Sequence, residues 1–174
     1  MKRLTVDEYR QAEKMPLVVV LDDVRSMHNV GAVFRTADTF RLSEVVLCGI
    51  TGRPPHPELH KTALGAEDSV GWRYYDRALD AVQALKDEGY EVLAVEQVEH
   101  STKLPRFVAN AAKRYAVVLG NEVKGVHQEV VDACHGCLEI PQLGTKHSLN
   151  VSVTAGIIIY DFARQLLFGE DHGP

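Results

Sequence analysis

Two uninterrupted apolar runs, residues 17–21 and 115–119, interrupt a chain that elsewhere mixes apolar and polar positions. Runs this short, rich in β-branched residues and without polar alternation, predict strands buried on both faces. Residues 45–48 and 91–95 predict further strands, as do the weaker segments 70–75 and 138–140. Between them the apolar spacing becomes helical. Val30, Val33, Phe34 and Ala37 make one stripe and predict a helix over residues 30–40. Shorter helices are predicted over 58–64, 77–88 and 126–133, with Pro54, Pro55 and Pro57 marking the loop before the first of them. A long helix closes the chain, with Ser148 as its cap and Leu149, Val153, Ile157, Tyr160 and Leu167 as its stripe. At the other end Thr5 and Glu8 have capping-box spacing, which predicts a short helix within about residues 1–15.

Strands alternating with helices imply an α/β fold, with a mainly parallel sheet covered by helices on both faces. No internal repeat, low-complexity tract or linker divides the sequence, so one domain is expected over residues 1–174. Apolar content of 45% and charged content of 25% suit an ordinary water-exposed globule. No apolar stretch approaches the roughly 18 residues of a membrane span. The segment from Met1 to Glu8 lacks the apolar core of a secretory leader. A cytoplasmic protein without a membrane segment is expected.

The formal charge of −5 argues against a bulk nucleic-acid binder, because phosphate contacts want Lys and Arg. Local clusters soften that objection: Lys2, Arg3, Arg10 and Lys14 near the start, and Arg53, Lys61, Arg73 and Arg77 further on. Three cysteines, Cys48, Cys134 and Cys137, cannot all pair within one chain. Cys134 and Cys137 have the spacing of a metal or redox pair, but no second Cys/His pair completes a zinc site. No metal is expected.

Chemistry is suggested instead by polar and small residues at predicted strand ends, the usual place for a ligand site in such sheets. The first group is Asn29, Gly31 and Arg35. Asn29 stands where a helix cap belongs, and Gly31 lies one turn before Arg35, leaving the guanidinium a clear approach to an anionic partner. The second is Gly120, Asn121, Glu122 and Gly125, directly after a buried run. It is neither a Walker loop nor a dinucleotide-binding fingerprint. The third is Ile140 and Pro141, followed by Ser148, Leu149 and Asn150. Ser148 lacks the elbow sequence of a serine nucleophile.

Taken in order and at these separations, the three groups resemble the signature motifs of the SpoU/TrmH class of SPOUT RNA ribose methyltransferases. The resemblance runs from about Pro16 to Leu167. It implies a C-terminal deep trefoil knot, which strand and helix patterns alone could not have suggested. It implies S-adenosylmethionine as cofactor, held by Ala94, Val95, Glu96, Gly120, Ile140 and Leu149. It also implies a homodimer, with the final helix packed across the interface. The reaction implied is methylation of a ribose 2′-hydroxyl in structured RNA. Arg35 is the matching catalytic residue, and Asn29, Glu122, Ser148 and Asn150 orient it and the ribose. Guanidinium deprotonates only above about pH 12, so Arg35 is expected to hold phosphate and stabilise an alkoxide, not to act as base.

Some relatives of this class carry an additional N-terminal RNA-binding domain or a basic terminal extension. With little sequence before the first strand and a short acidic tail, RNA selection is expected to fall to the knot surface and the dimer cleft, with tRNA favoured over rRNA. Two other readings are weighed beside this one. A non-catalytic RNA-binding relative is disfavoured by the intact motif residues. A different α/β enzyme using Ser148 or the Cys134–Cys137 pair lacks a recognised motif.

Overall fold

The two apolar runs lie side by side at the centre of a seven-stranded sheet. In this computed structural model, which describes residues 3–169, β1 (Met15–Asp22) pairs in parallel with β6 (Arg114–Leu119), from Leu17 against Tyr115 to Leu21 against Leu119. Leu17 through Leu21 are wholly buried, as continuous apolar strands must be when both faces are covered. On the far side of β1 come β2 (Leu42–Cys48) and the edge strand β3 (Trp72–Tyr75). Beyond β6 come β4 (Tyr90–Val95), β7 (Gly136–Glu139) and the two-residue β5 (Thr102–Lys103). Every pairing is parallel, so all these strands present their carboxyl ends at one edge.

Alternation along β1 divides the interior into two cores. Leu17, Val19 and Leu21 face α2 (Met27–Thr39) and α7 (Val151–Leu166), packing with Phe34, Ile158 and Phe162. Val18 and Val20 face α5 (Ala78–Asp87) and α6 (Gln128–Ala133), packing with Val82, Leu85 and Val130. The capping box at Thr5 and Glu8 is present and opens α1 (Val6–Gln11). The short helices α3 (Pro57–Ala63) and α4 (Ala66–Ser69) connect β2 to β3. α4, β5 and a 3₁₀ turn at Leu104–Arg106 are each too short to leave a periodic signal, and the sequence did not announce them.

Two helix caps differ from expectation. α2 is capped by Ser26, whose hydroxyl accepts from the Asn29 N–H at 3.2 Å, so Asn29 sits inside the first turn with its side chain available. α7 is capped by Asn150, whose carbonyl oxygen accepts from the N–H groups of Ser152 and Val153; Ser148 lies before the helix in an exposed loop. The stripe predicted for the last helix is also on the wrong side. Val151, Ala155, Ile158, Ile159, Phe162 and Ala163 are buried, whereas Leu149, Val153, Ile157, Tyr160 and Leu167 point outward. α7 is apolar on two faces, and its small residues Ala155 and Ala163 let the inner one approach the sheet closely. Lys2 and the acidic tail residues Glu170 and Asp171 lie outside the described residues.

Candidate active site

Between the carboxyl ends of β4, β6 and β7 opens a cleft of about 310 Å³. Its floor is the strand-end backbone at 95–97, 119–120 and 138–140, and its walls are the loop 120–125 and residues 147–149, with Val151 and Thr154 of α7 behind. Leu119, Leu138, Ile140 and Leu149 make part of the lining apolar, while Glu96, Glu122, Glu139, His147 and Ser148 bring polar groups to it. Strand ends are the natural place for such a site, because the last residues of each strand leave the ladder with backbone groups to spare.

The loop after β6 is held rigidly. Asn121 and Gly125 exchange backbone hydrogen bonds of 3.1 and 2.9 Å, folding the loop back on itself. The Asn121 side-chain Oδ1 accepts from the N–H groups of Val123 and Lys124, and its side-chain amide donates to the Asp23 backbone carbonyl at 2.8 Å. A Glu96 carboxylate oxygen accepts from the Val126 N–H at 2.7 Å. Below the loop, His127 Nδ1 sits 2.9 Å from a carboxylate oxygen of buried Asp22. Gly120 is glycine because of this fold-back: a Cβ there would stand 2.1 Å from the backbone of Gly125 and Val126. A side chain at 120 thus meets the loop itself, before any ligand.

Glu122 ties the loop to α2. Its carboxylate accepts from the Arg25 and Ser26 N–H groups, each at 3.1 Å, and from the Asn29 side-chain amide at 3.2 Å. Partial burial pushes the Glu122 carboxyl up, but its own N–H, those of Arg25 and Ser26, and the Asn29 amide outweigh that and hold it below the usual carboxylate value. Asn29 in turn accepts from the Asn150 amide at 3.2 Å. One hydrogen-bonded chain, Glu122–Asn29–Asn150, therefore joins all three polar groups singled out in the sequence, across separations of 93 and 121 residues.

The predicted site residues divide accordingly. Val95, Glu96, Gly120, Ile140, Leu149, Glu122 and Ser148 line the cleft. Ala94 does not; it is buried within β4, paired with Val118 and Cys137 on either side. Arg35 is exposed on α2, about 9 Å along the axis from Asn29, and does not line the cleft. Gly31 does not clear a path for it. A Cβ at 31 would lie 2.1 Å from Thr62 Oγ1 and 2.2 Å from the Leu59 carbonyl, so this glycine serves the contact between α2 and α3. Sequence reading passed over Ser26, Gln142 and Thr154, single polar residues whose positions only the fold defines.

Burial works against thiolate formation at the cysteine pair. Burial pushes the Cys134 thiol up to about 12, with Cys137 adding to the effect, and the Cys137 thiol is also raised, chiefly by burial. His135 between them is stitched to Val92 through its N–H and its ring Nδ1. Asp22, Asp23 and His127 do bring metal-type ligand atoms within 4.8 Å of one another, but His127 is already bonded to Asp22 and Asp23 accepts from the Ile50 N–H. This trio reads as a clamp under the loop.

A sequence model described as the SpoU rRNA methylase family matches residues 16–160, a span that holds all three polar loops and the cleft. The chain belongs to that family. Among its relatives is the tRNA (guanosine(18)-2′-O)-methyltransferase of Thermus thermophilus, 31% identical over 95% of this chain and 84% of the relative. The 23S rRNA (guanosine-2′-O-)-methyltransferase of Vibrio parahaemolyticus is 28% identical over 93% of this chain, which spans 64% of that protein. Among solved structures, the TrmH/SpoU tRNA modifying enzyme of A. aeolicus superposes with a TM-score of 0.80 at 27% identity, covering 92% of this chain and 80% of that one. The AdoMet-bound rRNA methyltransferase of Sinorhizobium meliloti also gives 0.80, at 26% identity, with 93% of this chain and 60% of the other covered. The all-parallel sheet and its helical layers are thus those of SpoU enzymes.

Proposed function

We propose that this chain transfers a methyl group from S-adenosylmethionine to a ribose 2′-hydroxyl of a structured RNA, with tRNA favoured over rRNA. The observation that carries the reading is the Glu122–Asn29–Asn150 chain of hydrogen bonds at the lip of the cleft, three motif residues from three separate segments in one network. The preference for tRNA is supported by the Thermus tRNA enzyme, 31% identical to this chain against 28% for the Vibrio rRNA enzyme.

The cleft suits the cofactor by the chemistry of its lining. Apolar side chains of Leu119, Leu138, Ile140 and Leu149 can take the flat base and the hydrocarbon flanking the sulfonium, while strand-end N–H and C=O groups meet its polar edges. Bound there, S-adenosylmethionine supplies an already activated methyl group. The protein's part is then to position the hydroxyl and to favour loss of its proton. Asn29 and Asn150, fixed by Glu122, present amide groups that orient the ribose, and Ser148 approaches from the cleft wall. The Arg35 guanidinium, a planar cationic fork, holds the adjoining phosphate and stabilises the developing alkoxide.

The same reading includes one domain over residues 1–174, a trefoil-knotted C-terminal part, a cytoplasmic location and a homodimer. Support for the homodimer is the outward apolar face of α7. Leu149, Val153, Ile157 and Tyr160 repeat at helical spacing, and Tyr160 is 54% exposed. Because α2 packs against α7, such an assembly would bring Arg35 close to a second chain.

The deciding experiment is transfer of labelled methyl from S-adenosylmethionine to unmodified total tRNA and to rRNA, followed by mapping of the modified position. Label at a 2′-oxygen of tRNA is the expected result. Cofactor binding without transfer to either RNA would favour the non-catalytic relative.

A further inference from the structure

In an acidic protein that is to grip RNA, what matters is where the cations without carboxylate partners are. Several cations on the body of the fold are neutralised internally. Lys61 pairs with Glu58, Arg73 with Glu44 and Glu88, Arg77 with Glu129, Lys103 with Glu139, and Lys113 with Glu91. Arg10 and Lys14, prominent in the sequence, spend their nitrogens on backbone carbonyls near the amino ends of the strands.

Four exposed cations are different. Arg25, Arg53, Lys124 and Lys146 have no carboxylate partner among the described residues, and each lies on a loop that follows a strand: β1, β2, β6 and β7 respectively. These strands span the sheet from β2 to β7, about 19 Å at the usual strand spacing, so the four charges run along the edge that holds the cleft. Lys124 lines the cleft, and Lys146 immediately precedes its wall. Arg25 follows directly on the loop that Thr51 fastens through the Val24 N–H. The Arg53 guanidinium lies over the Tyr74 ring at 4.1 Å, a cation–π contact that leaves its charge uncompensated by a carboxylate. The nearby carboxylates are occupied: Glu122 by N–H groups, Asp22 by His127, Asp23 by the Ile50 N–H and Glu139 by Lys103. Of the other cations without such a partner, Lys86 and Arg114 donate to backbone carbonyls, and Arg35 belongs to the proposed reaction. Arg3 precedes α1, Arg41 sits in the turn feeding β2, and Arg106 follows the outermost strand β5, beyond the strands that bound the cleft.

We propose that Arg25, Arg53, Lys124 and Lys146 form the track that holds the phosphodiester backbone of the RNA on either side of the reacting ribose. This rests on the RNA-methyltransferase reading and adds the docking surface to it. The selection follows from charge: neutralised residues cannot release counterions on binding RNA, and these four can.

The test is fluorescence anisotropy of a labelled, unmodified tRNA transcript over a salt series, without cofactor, so that it is independent of methyl transfer. Arg25→Gln/Arg53→Gln and Lys124→Gln/Lys146→Gln are compared with Lys61→Gln/Lys113→Gln, two cations paired with Glu58 and Glu91, each checked by circular dichroism. Each track pair should bind roughly tenfold more weakly at low salt and flatten the log-affinity slope by about 0.7–0.9 per charge removed, while the control pair stays at wild type. Wild-type affinity and slope in both track variants would overturn the proposal, as would displacement of the tRNA by polyglutamate as readily as by unlabelled tRNA. Calorimetric absence of S-adenosylmethionine binding would instead strike the catalytic reading and leave the track standing or falling on the anisotropy.

Discussion

Glu122 shows how one side chain can be both structural and functional. Its folded pKa is lowered, so its stabilising contribution is fully present above the ordinary carboxyl value of 4.5 and is lost as pH falls through the folded value. Glu122→Gln should therefore cost about 1–2 kcal/mol at pH 7, since two backbone N–H groups and the Asn29 amide lose a charged acceptor. That deficit, measured by urea unfolding, should shrink as pH drops below 4.5. A deficit that is constant from pH 7 to pH 3 would show that the charge is irrelevant. Arg35 presents the opposite case: its side chain has no hydrogen-bond or ion-pair partner among the described residues, so it is available to a ligand. Arg35→Ala should reduce methyl transfer on the order of 10²- to 10³-fold while calorimetric affinity for S-adenosylmethionine stays near wild type. Arg35→Lys should also fail badly, because an ammonium cannot reproduce the planar fork.

Among elements, two glycines fix how neighbours meet. Gly31 lets α2 lie against α3, and the atoms that a Cβ would strike include the Leu59 backbone carbonyl, which cannot rotate away. Gly31→Ala should destabilise by about 1–3 kcal/mol, seen as a lower urea midpoint, with no requirement for a ligand. Gly120 lets the loop after β6 return to its own start. Gly120→Val should displace Gly125 and Val126 and release the Glu96 hydrogen bond, so cofactor affinity falls far more than RNA affinity. Calorimetry on a folded variant with unchanged cofactor affinity would separate the loop from the pocket.

At the scale of the whole molecule, the outward side of α7 leaves a long apolar surface uncovered among the described residues. Outward residues of α7 continue into an aromatic patch in which Phe40 meets Tyr160 and Phe168 edge-on, at centroid distances of 6.0 and 6.5 Å. A two-fold partner would cover this surface with its own copy. Sedimentation at micromolar concentration should show a dimer, and Ile157→Glu/Tyr160→Glu should yield the 19.3 kDa monomer with the sheet intact by circular dichroism. A wild-type monomer would remove the homodimer from the proposal.

Residues 17–21 and 115–119 specified buried strands by themselves, because only two-sided burial tolerates five apolar residues in a row, and the stripe of α2 was equally plain. The motif residues Asn29, Glu122 and Asn150 were visible as types in an order. That they touch depends on β6 lying beside β1, and that neighbour is chosen by the sheet as a whole. The inward face of α7 was hidden for a related reason: a helix apolar on two sides carries no local mark of which side meets the sheet, and small Ala155 and Ala163 counted for little until close packing selected them. Caps failed likewise, since Ser26 and Asn29, or Ser148 and Asn150, are equivalent candidates by residue type. Local pattern determined the elements; long-range packing decided which polar side chains came together to make a site.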